Sequence, residues 1–250
     1  MIPNGPIYLA LGIGAAFINV PLLIFTFLKN DLRTKYPTVA GQLLVDFLCI
    51  CFLITSGLMF LQWTSCRTAY VVISAVPILQ SVYTLITTID YLVARFQPLF
   101  FHSPPFLYRF TLFTSGFITS TLLFFVCFEN EDFSCPDASE STLDGFLFLY
   151  SSCIILNFAS LICLLILFFN LTDLQFKFAI TIKFTVILSL ILIPFLIVLV
   201  LYFFDNKKLV HFGIDISASF IAVGIIINSV LQLRNKHLSK EARSFITGSV

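Results

Sequence analysis

Asp46, Asp90, Lys183 and Asp215 each stand inside a long apolar run of this 250-residue chain. A charge in such a run is expensive. It normally faces other protein groups and marks a binding pathway, a relay or a switch. Asp46 lies deepest. The amides of Asn19, Gln80 and Asn228 fall at similar depth in their own runs, and we read the four residues as one polar cluster. The plainer reading is a set of separate interhelical hydrogen bonds worth about 1 kcal/mol each. Lys183 and Asp215 sit near the ends of their runs, where snorkelling to the nearer headgroups would satisfy them. Catalytic chemistry has less to work with. His102, His211 and His237 all lie in or near loops, and no Cys/His spacing suggests a zinc site. Neither an enzyme, a metal nor a cofactor is expected.

The composition says what must position these groups. Hydrophobic residues make up 59% of the chain and charged residues only 11%. A soluble domain carries about 25% charged residues, so a water-soluble enzyme, a disordered tail protein and a nucleic-acid binder are excluded. A net charge of +1 implies no polyanionic partner. A helix needs about 20 mostly apolar residues to cross a bilayer. Seven such stretches are present: Ile7–Leu28, Val39–Gln62, Ala69–Ala94, Leu107–Phe128, Phe146–Phe169, Phe178–Phe204 and Gly213–Leu233. Membrane β-strands alternate polar and apolar residues. Ile187–Phe204 is apolar on every face, which favours helices. The expected fold is therefore all-α, a single bundle of seven transmembrane helices in a lipid bilayer.

Charge sets the expected orientation. The first stretch has its basic residues after it (Lys29, Arg33, Lys35), the reverse of a signal peptide, so it reads as a retained span. Cytoplasmic loops collect Lys and Arg. With the N-terminus outside, the inner segments hold Lys29, Arg33, Lys35, Arg95, Arg109, Lys177, Lys183, Arg234, Lys236, Lys240 and Arg243. The outer segments hold Arg67, Lys207 and Lys208, and the acidic stretch Glu129–Asp144 also falls outside. The C-terminus is then cytosolic. A glycosylation triplet, Asn170-Leu171-Thr172, falls on the inner side and reads as unused.

Of the seven cysteines, only Cys66 and Cys135 lie clearly in outer segments. The outer face is oxidising, so a bridge between them is expected, with Cys127 as an alternative partner. It would tie the loop after the fourth span over the third and contribute roughly 2–4 kcal/mol.

This arrangement resembles the rhodopsin-type G-protein-coupled receptors. Asp90-Tyr91-Leu92 stands after Cys66 where that family carries its Asp/Glu-Arg-Tyr triplet. Asn19, Asp46 in Leu44-Val45-Asp46-Phe47, and Pro194 in Ile193-Pro194-Phe195 resemble the asparagine, aspartate and proline of spans one, two and six. Asn228-Ser229-Val230-Leu231-Gln232 stands where the family has Asn-Pro-x-x-Tyr. There are departures: Tyr91 replaces the arginine, Ser229 the proline and Gln232 the tyrosine, and span four lacks a tryptophan. With many Phe and short loops, the chain looks most like the nematode serpentine chemoreceptors. The stretch from Asp90 to His102 resembles serpentine receptor class BC and its neighbours.

The resemblance implies a small-molecule ligand among the outer halves of the helices, a heterotrimeric G protein at the inner side, and a plasma-membrane or sensory-cilium location. Pro194 would kink span six, since proline removes a backbone hydrogen bond. Arg95, one turn beyond Tyr91, would partly replace the missing arginine or pair with Asp90, or else serve as an interfacial anchor. Ile73, Ser74 and Pro77 are expected to line the ligand site from span three. Tyr150, Phe195, Leu199 and Asp215 are expected to face them. That lining is mostly apolar, which suits a mainly apolar ligand, and Asp215 leaves a cationic one open.

Two other classes compete. A transporter or channel would show paired half-repeats and broken helices, and none stands out. A non-signalling membrane scaffold stays open because Tyr91 and Gln232 depart from the signalling motifs.

Overall fold

The computed structural model describes residues 5–28, 37–62, 66–96, 106–128, 141–171, 174–203 and 207–234. Every element among them is helical. They are α1 (Gly5–Leu28), α2 (Pro37–Gln62), α3 (Cys66–Phe96), α4 (Phe106–Phe128), α5 (Ser141–Asn170), α6 (Leu174–Val186), a π-helical segment (Ile187–Leu192), α7 (Ile193–Phe203) and α8 (Lys207–Arg234). The helical form is the one that a lipid setting would favour. In lipid, each backbone polar group must find its partner within the protein, and a helix satisfies them along a single segment.

Five helical stretches among the described residues are long and apolar enough to cross a membrane: Gly5–Leu28, Ala40–Leu61, Val72–Val93, Leu147–Asn170 and Lys177–Leu201. A shorter apolar stretch, Asp215–Leu231, runs within α8. Outward-facing side chains are large and apolar, among them Phe17, Phe169 and Phe203, each about three-quarters exposed. This surface is compatible with a multi-pass membrane protein. Hydroxyls on the outward face of α6 and the π segment are satisfied locally. Thr181, Thr185 and Ser189 donate to the carbonyls of Lys177, Thr181 and Thr185.

The helices close around α3. α1 packs between α2 and α8, and α8 packs on the π segment and α7. Those two pack on α5, which lies against α3, while α4 sits against α3 and α5. α3 is the most enclosed: 72% of its apolar window is buried, against 28% for α1. The main core gathers Tyr8, Leu53, Ile73, Tyr83, Tyr150, Phe195 and Ile225 from six of the helical elements. A second cluster (Leu161, Leu164, Leu167, Ile187, Leu192) joins α5 to the π segment.

Pro194 deforms its helix in a particular way. The π segment ends just before it, and the N–H of Ile193 reaches the carbonyl of Leu188. A proline ring collides with the carbonyl four residues back. Widening the preceding turn is one way a helix absorbs such a collision, and π-bulges often occur at functional sites.

Candidate functional site

The α1 N-terminus, the starts of α3, α5 and α8, and the end of α2 share one face of the bundle, here called the Gly5 face. The ends of α3 and α5 and the start of α6 meet at the other, here called the Asn170 face.

Between these faces lies Asp46, fully buried on α2. Gln42, one turn earlier on the same helix, donates Nε2–H to its Oδ1 at 2.9 Å. Asn228 of α8 donates Nδ2–H to its Oδ2 at 3.0 Å. Gln80 of α3 also interacts with the carboxylate. Asn19 does not reach Asp46. Its amide donates to Ser229, next to Asn228, at 3.3 Å. Of the four residues read as a cluster, three therefore meet at the carboxylate, and Asn19 joins through Ser229. The oxygens Asn19 Oδ1, Gln42 Oε1 and Gln80 Oε1 are buried without a partner among the described residues. The site is thus rich in acceptors and has donors from three helices aimed at one carboxylate.

Two members were not foreseen. Gln42 had a readable signal, an amide one helical turn before the carboxylate. Ser229 stood out only as a departure from a motif, yet its hydroxyl takes the bond from Asn19. A second polar tie, also unforeseen, holds α5 to α3: Asn157 Nδ2 donates to Ser81 Oγ and to the Cys153 carbonyl, both at 2.7 Å.

At the Asn170 face, Asp90 and Arg95 do not pair with each other. Asp90 accepts from the Tyr108 hydroxyl of α4 at 3.0 Å. Arg95 Nη2 donates to the Asn170 carbonyl at 2.7 Å, where the last carbonyls of α5 lack helical partners. Lys183 does not snorkel outward. Its ammonium lies over the Tyr91 ring, 4.8 Å from the centroid, and 3.4 Å from Thr87 Oγ1. The electron-rich ring face and the hydroxyl make this inward position favourable.

At the Gly5 face, the expected ligand-lining residues form packed core. Ile73, Ser74, Pro77, Tyr150 and Phe195 are buried, and Leu199 is partly buried. Tyr150 and Phe195 meet edge to face at 5.0 Å between centroids. The Tyr150 hydroxyl shares a hydrogen bond with Ser217 Oγ at 2.8 Å. Asp215 accepts from the Tyr8 hydroxyl of α1. Asp215 also acts electrostatically on Tyr150, whose ring faces Phe195 across α5 and α7. Removing the shared bond through Tyr150→Phe should lower stability by about 1 kcal/mol. A thermal melt of the purified chain would show it, and an unchanged midpoint would mean the bond contributes nothing net.

The expected Cys66–Cys135 bridge falls outside the described residues. Cys66 opens α3, but Cys135 is not among them, and nor is Thr172 of the glycosylation triplet. Cys49, Cys51, Cys153 and Cys163 are free thiols. Among the described residues, no group of three or more His, Cys, Asp or Glu could hold a metal ion.

The fold and its polar groups define a bundle of apolar helices of membrane-spanning kind. No protein-family model matches the chain, and no curated protein matches it.

Proposed function

We propose that the chain is a seven-span chemosensory receptor with its N-terminus outside, which binds a small, mainly apolar molecule from the Gly5 face and activates a heterotrimeric G protein at the Asn170 face. A plasma-membrane or sensory-cilium location goes with that reading, as does a Cys66–Cys135 bridge on the outer side. The observation that carries it is the α6–π–α7 rod. A π segment backed by Pro194 interrupts this rod at its middle. Below the interruption, the ammonium of Lys183 contacts Tyr91 and Thr87 of the central helix. Above it, Phe195 packs against Tyr150. A wedge at Phe195 and a release at Lys183 are thus two ends of one lever.

Thermodynamically, a ligand shifts such a lever only by binding one arrangement better than the other. An apolar molecule that displaces the Tyr150 edge from Phe195 gains its contacts only when the rod turns. Tyr91 supplies an aromatic face where the resembling family has a cation. The cation here comes from the opposite helix, as Lys183. Arg95 is engaged with the end of α5, so the restraint between α3 and α6 falls to Lys183 rather than to Arg95.

The test is basal coupling of the full chain in cells carrying a G-protein dissociation sensor. A cation–π contact contributes about 0.5–2 kcal/mol, so Lys183→Leu should raise basal signalling from about twofold to about 30-fold at equal surface level. Spin labels at the ends of α3 and α6 on the Asn170 face should move apart in the same variant. Unchanged signalling and unchanged separation together would sink the lever. A tag on the C-terminus found outside the cell would sink the topology.

A further inference from the structure

Two cations at the Asn170 face have no carboxylate partner among the described residues. Arg95 is exposed and spends one N–H on the Asn170 carbonyl. Lys177, at the start of α6, rests its ammonium over the Phe168 ring, 5.3 Å from the centroid. Both therefore bracket the C-terminus of α5, from α3 on one side and from α6 on the other. Lys183 lies six residues further along α6, roughly 9 Å up the helix, and is held over the Tyr91 ring.

Depth places the pair. The apolar stretches of α3, α5 and α6 end at Val93, Asn170 and Lys177, so Arg95 and Lys177 lie where apolar surface gives way to polar. Each has an exposed ring beside it. Phe96 follows Arg95, Phe178 follows Lys177, and Phe169 precedes Asn170, and all three are more than half exposed. Positive charge bordered by outward-facing apolar rings matches a lipid, with its charged head and its chains. It does not match a free soluble anion, which has no use for the rings. Basic pockets between helices at the membrane surface take anionic headgroups in this way.

We propose that Arg95 and Lys177 form a headgroup site for an anionic phospholipid, with Phe96, Phe169 and Phe178 against its acyl chains. The site rests on the helices crossing a bilayer and not on G-protein coupling, so it is read without any signalling partner.

The experiment is native mass spectrometry of the full chain from mixed micelles of phosphatidylcholine and phosphatidylserine. The chain should retain phosphatidylserine in preference. Arg95→Gln and Lys177→Gln should each cut that preference about fivefold, and together about 25-fold, the size expected for basic residues at an anionic surface. Arg95→Lys with Lys177→Arg should keep it. Soluble glycerophosphoserine at matched concentration should fail to displace the lipid. Selectivity that survives the double Gln variant overturns the proposal, and so does full displacement by the soluble headgroup. If the double variant fails to express, the wild-type chain answers the question by salt. Retention should fall steeply as ionic strength rises, and retention that ignores salt overturns the proposal equally.

Discussion

Replacing Asp46 with Leu should lower the thermal midpoint of the purified chain by roughly 6–12 °C, while Asp46→Asn should lower it by under about 3 °C. The contrast follows from counting donors. Gln42 and Asn228 each aim an N–H at one carboxylate oxygen. Leucine leaves both donors, and the Gln80 amide that also reaches the carboxylate, without this acceptor. Each orphaned buried group costs about 1–3 kcal/mol, so about 3 kcal/mol is lost. For a chain of this size, 1 kcal/mol moves the midpoint by about 2–4 °C. Asparagine offers one oxygen and one amide group in the same space. Its amide would face the Gln42 donor, but Gln42 carries an oxygen with no partner among the described residues. Turning the Gln42 amide over brings that oxygen to the new N–H and restores both bonds. Equal losses for Leu and Asn would show that charge, not acceptor count, holds the three helices. No loss in either would show that the cluster contributes nothing to stability.

This cluster also shows how far the sequence carries. Depth is legible, because the span of an apolar run fixes how far along its helix a residue sits. Asp46, Gln80, Asn19 and Asn228 could be set at one level from that alone. The helix ends are legible only in part: Ile7–Leu28 becomes α1, Gly5–Leu28, but α5 starts at Ser141 rather than Phe146 and α8 at Lys207 rather than Gly213. Rotation about each helix axis is not legible. The direction of a side chain turns by about 100° per residue, and these helices are apolar on nearly every face, so no stripe marks the inward side. Partner choice depends on that rotation. Hence Asn19 meets Ser229 rather than Asp46, and Lys183 turns onto Tyr91 rather than outward. The π segment is hidden for a related reason. Pro194 announces a disturbed helix, but whether it kinks or widens is decided by which carbonyls find other partners. Here the N–H of Ile193 passes over one residue to reach Leu188.

The same geometry makes Gly57→Leu the most damaging change expected in the apolar part of the bundle. A Cβ at Gly57 would meet Leu9 N at 2.9 Å, Gly5 O at 3.0 Å and Leu9 Cα at 3.3 Å. All three are backbone atoms of α1, so no side chain can swing aside and the helices themselves must separate. Gly5 is the matching half of the contact, with Gly57 O at 2.9 Å from its own ideal Cβ. Small residues are how membrane helices bring their backbones together, since packing rather than water exclusion holds them. Overpacking costs about 1–3 kcal/mol where side chains can yield, and more where they cannot. We expect at least about 3 kcal/mol here, roughly 6–12 °C in midpoint. Gly14, on the same helix as Gly5, supplies the control, because nothing lies within 4 Å of its ideal Cβ. Gly14→Leu should leave the midpoint within about 2 °C, as surface changes do. Equal midpoints for the two variants would mean that α1 is not seated on α2 through glycine. The loss should also spread beyond the seam. α1 lies between α2 and α8, and it carries Tyr8 to Asp215 and Asn19 to Ser229. Lifting α1 by the width of one side chain breaks both bonds at once, so Gly57→Leu should loosen α8 as well as α1, measurable as faster hydrogen exchange in the middle of α8.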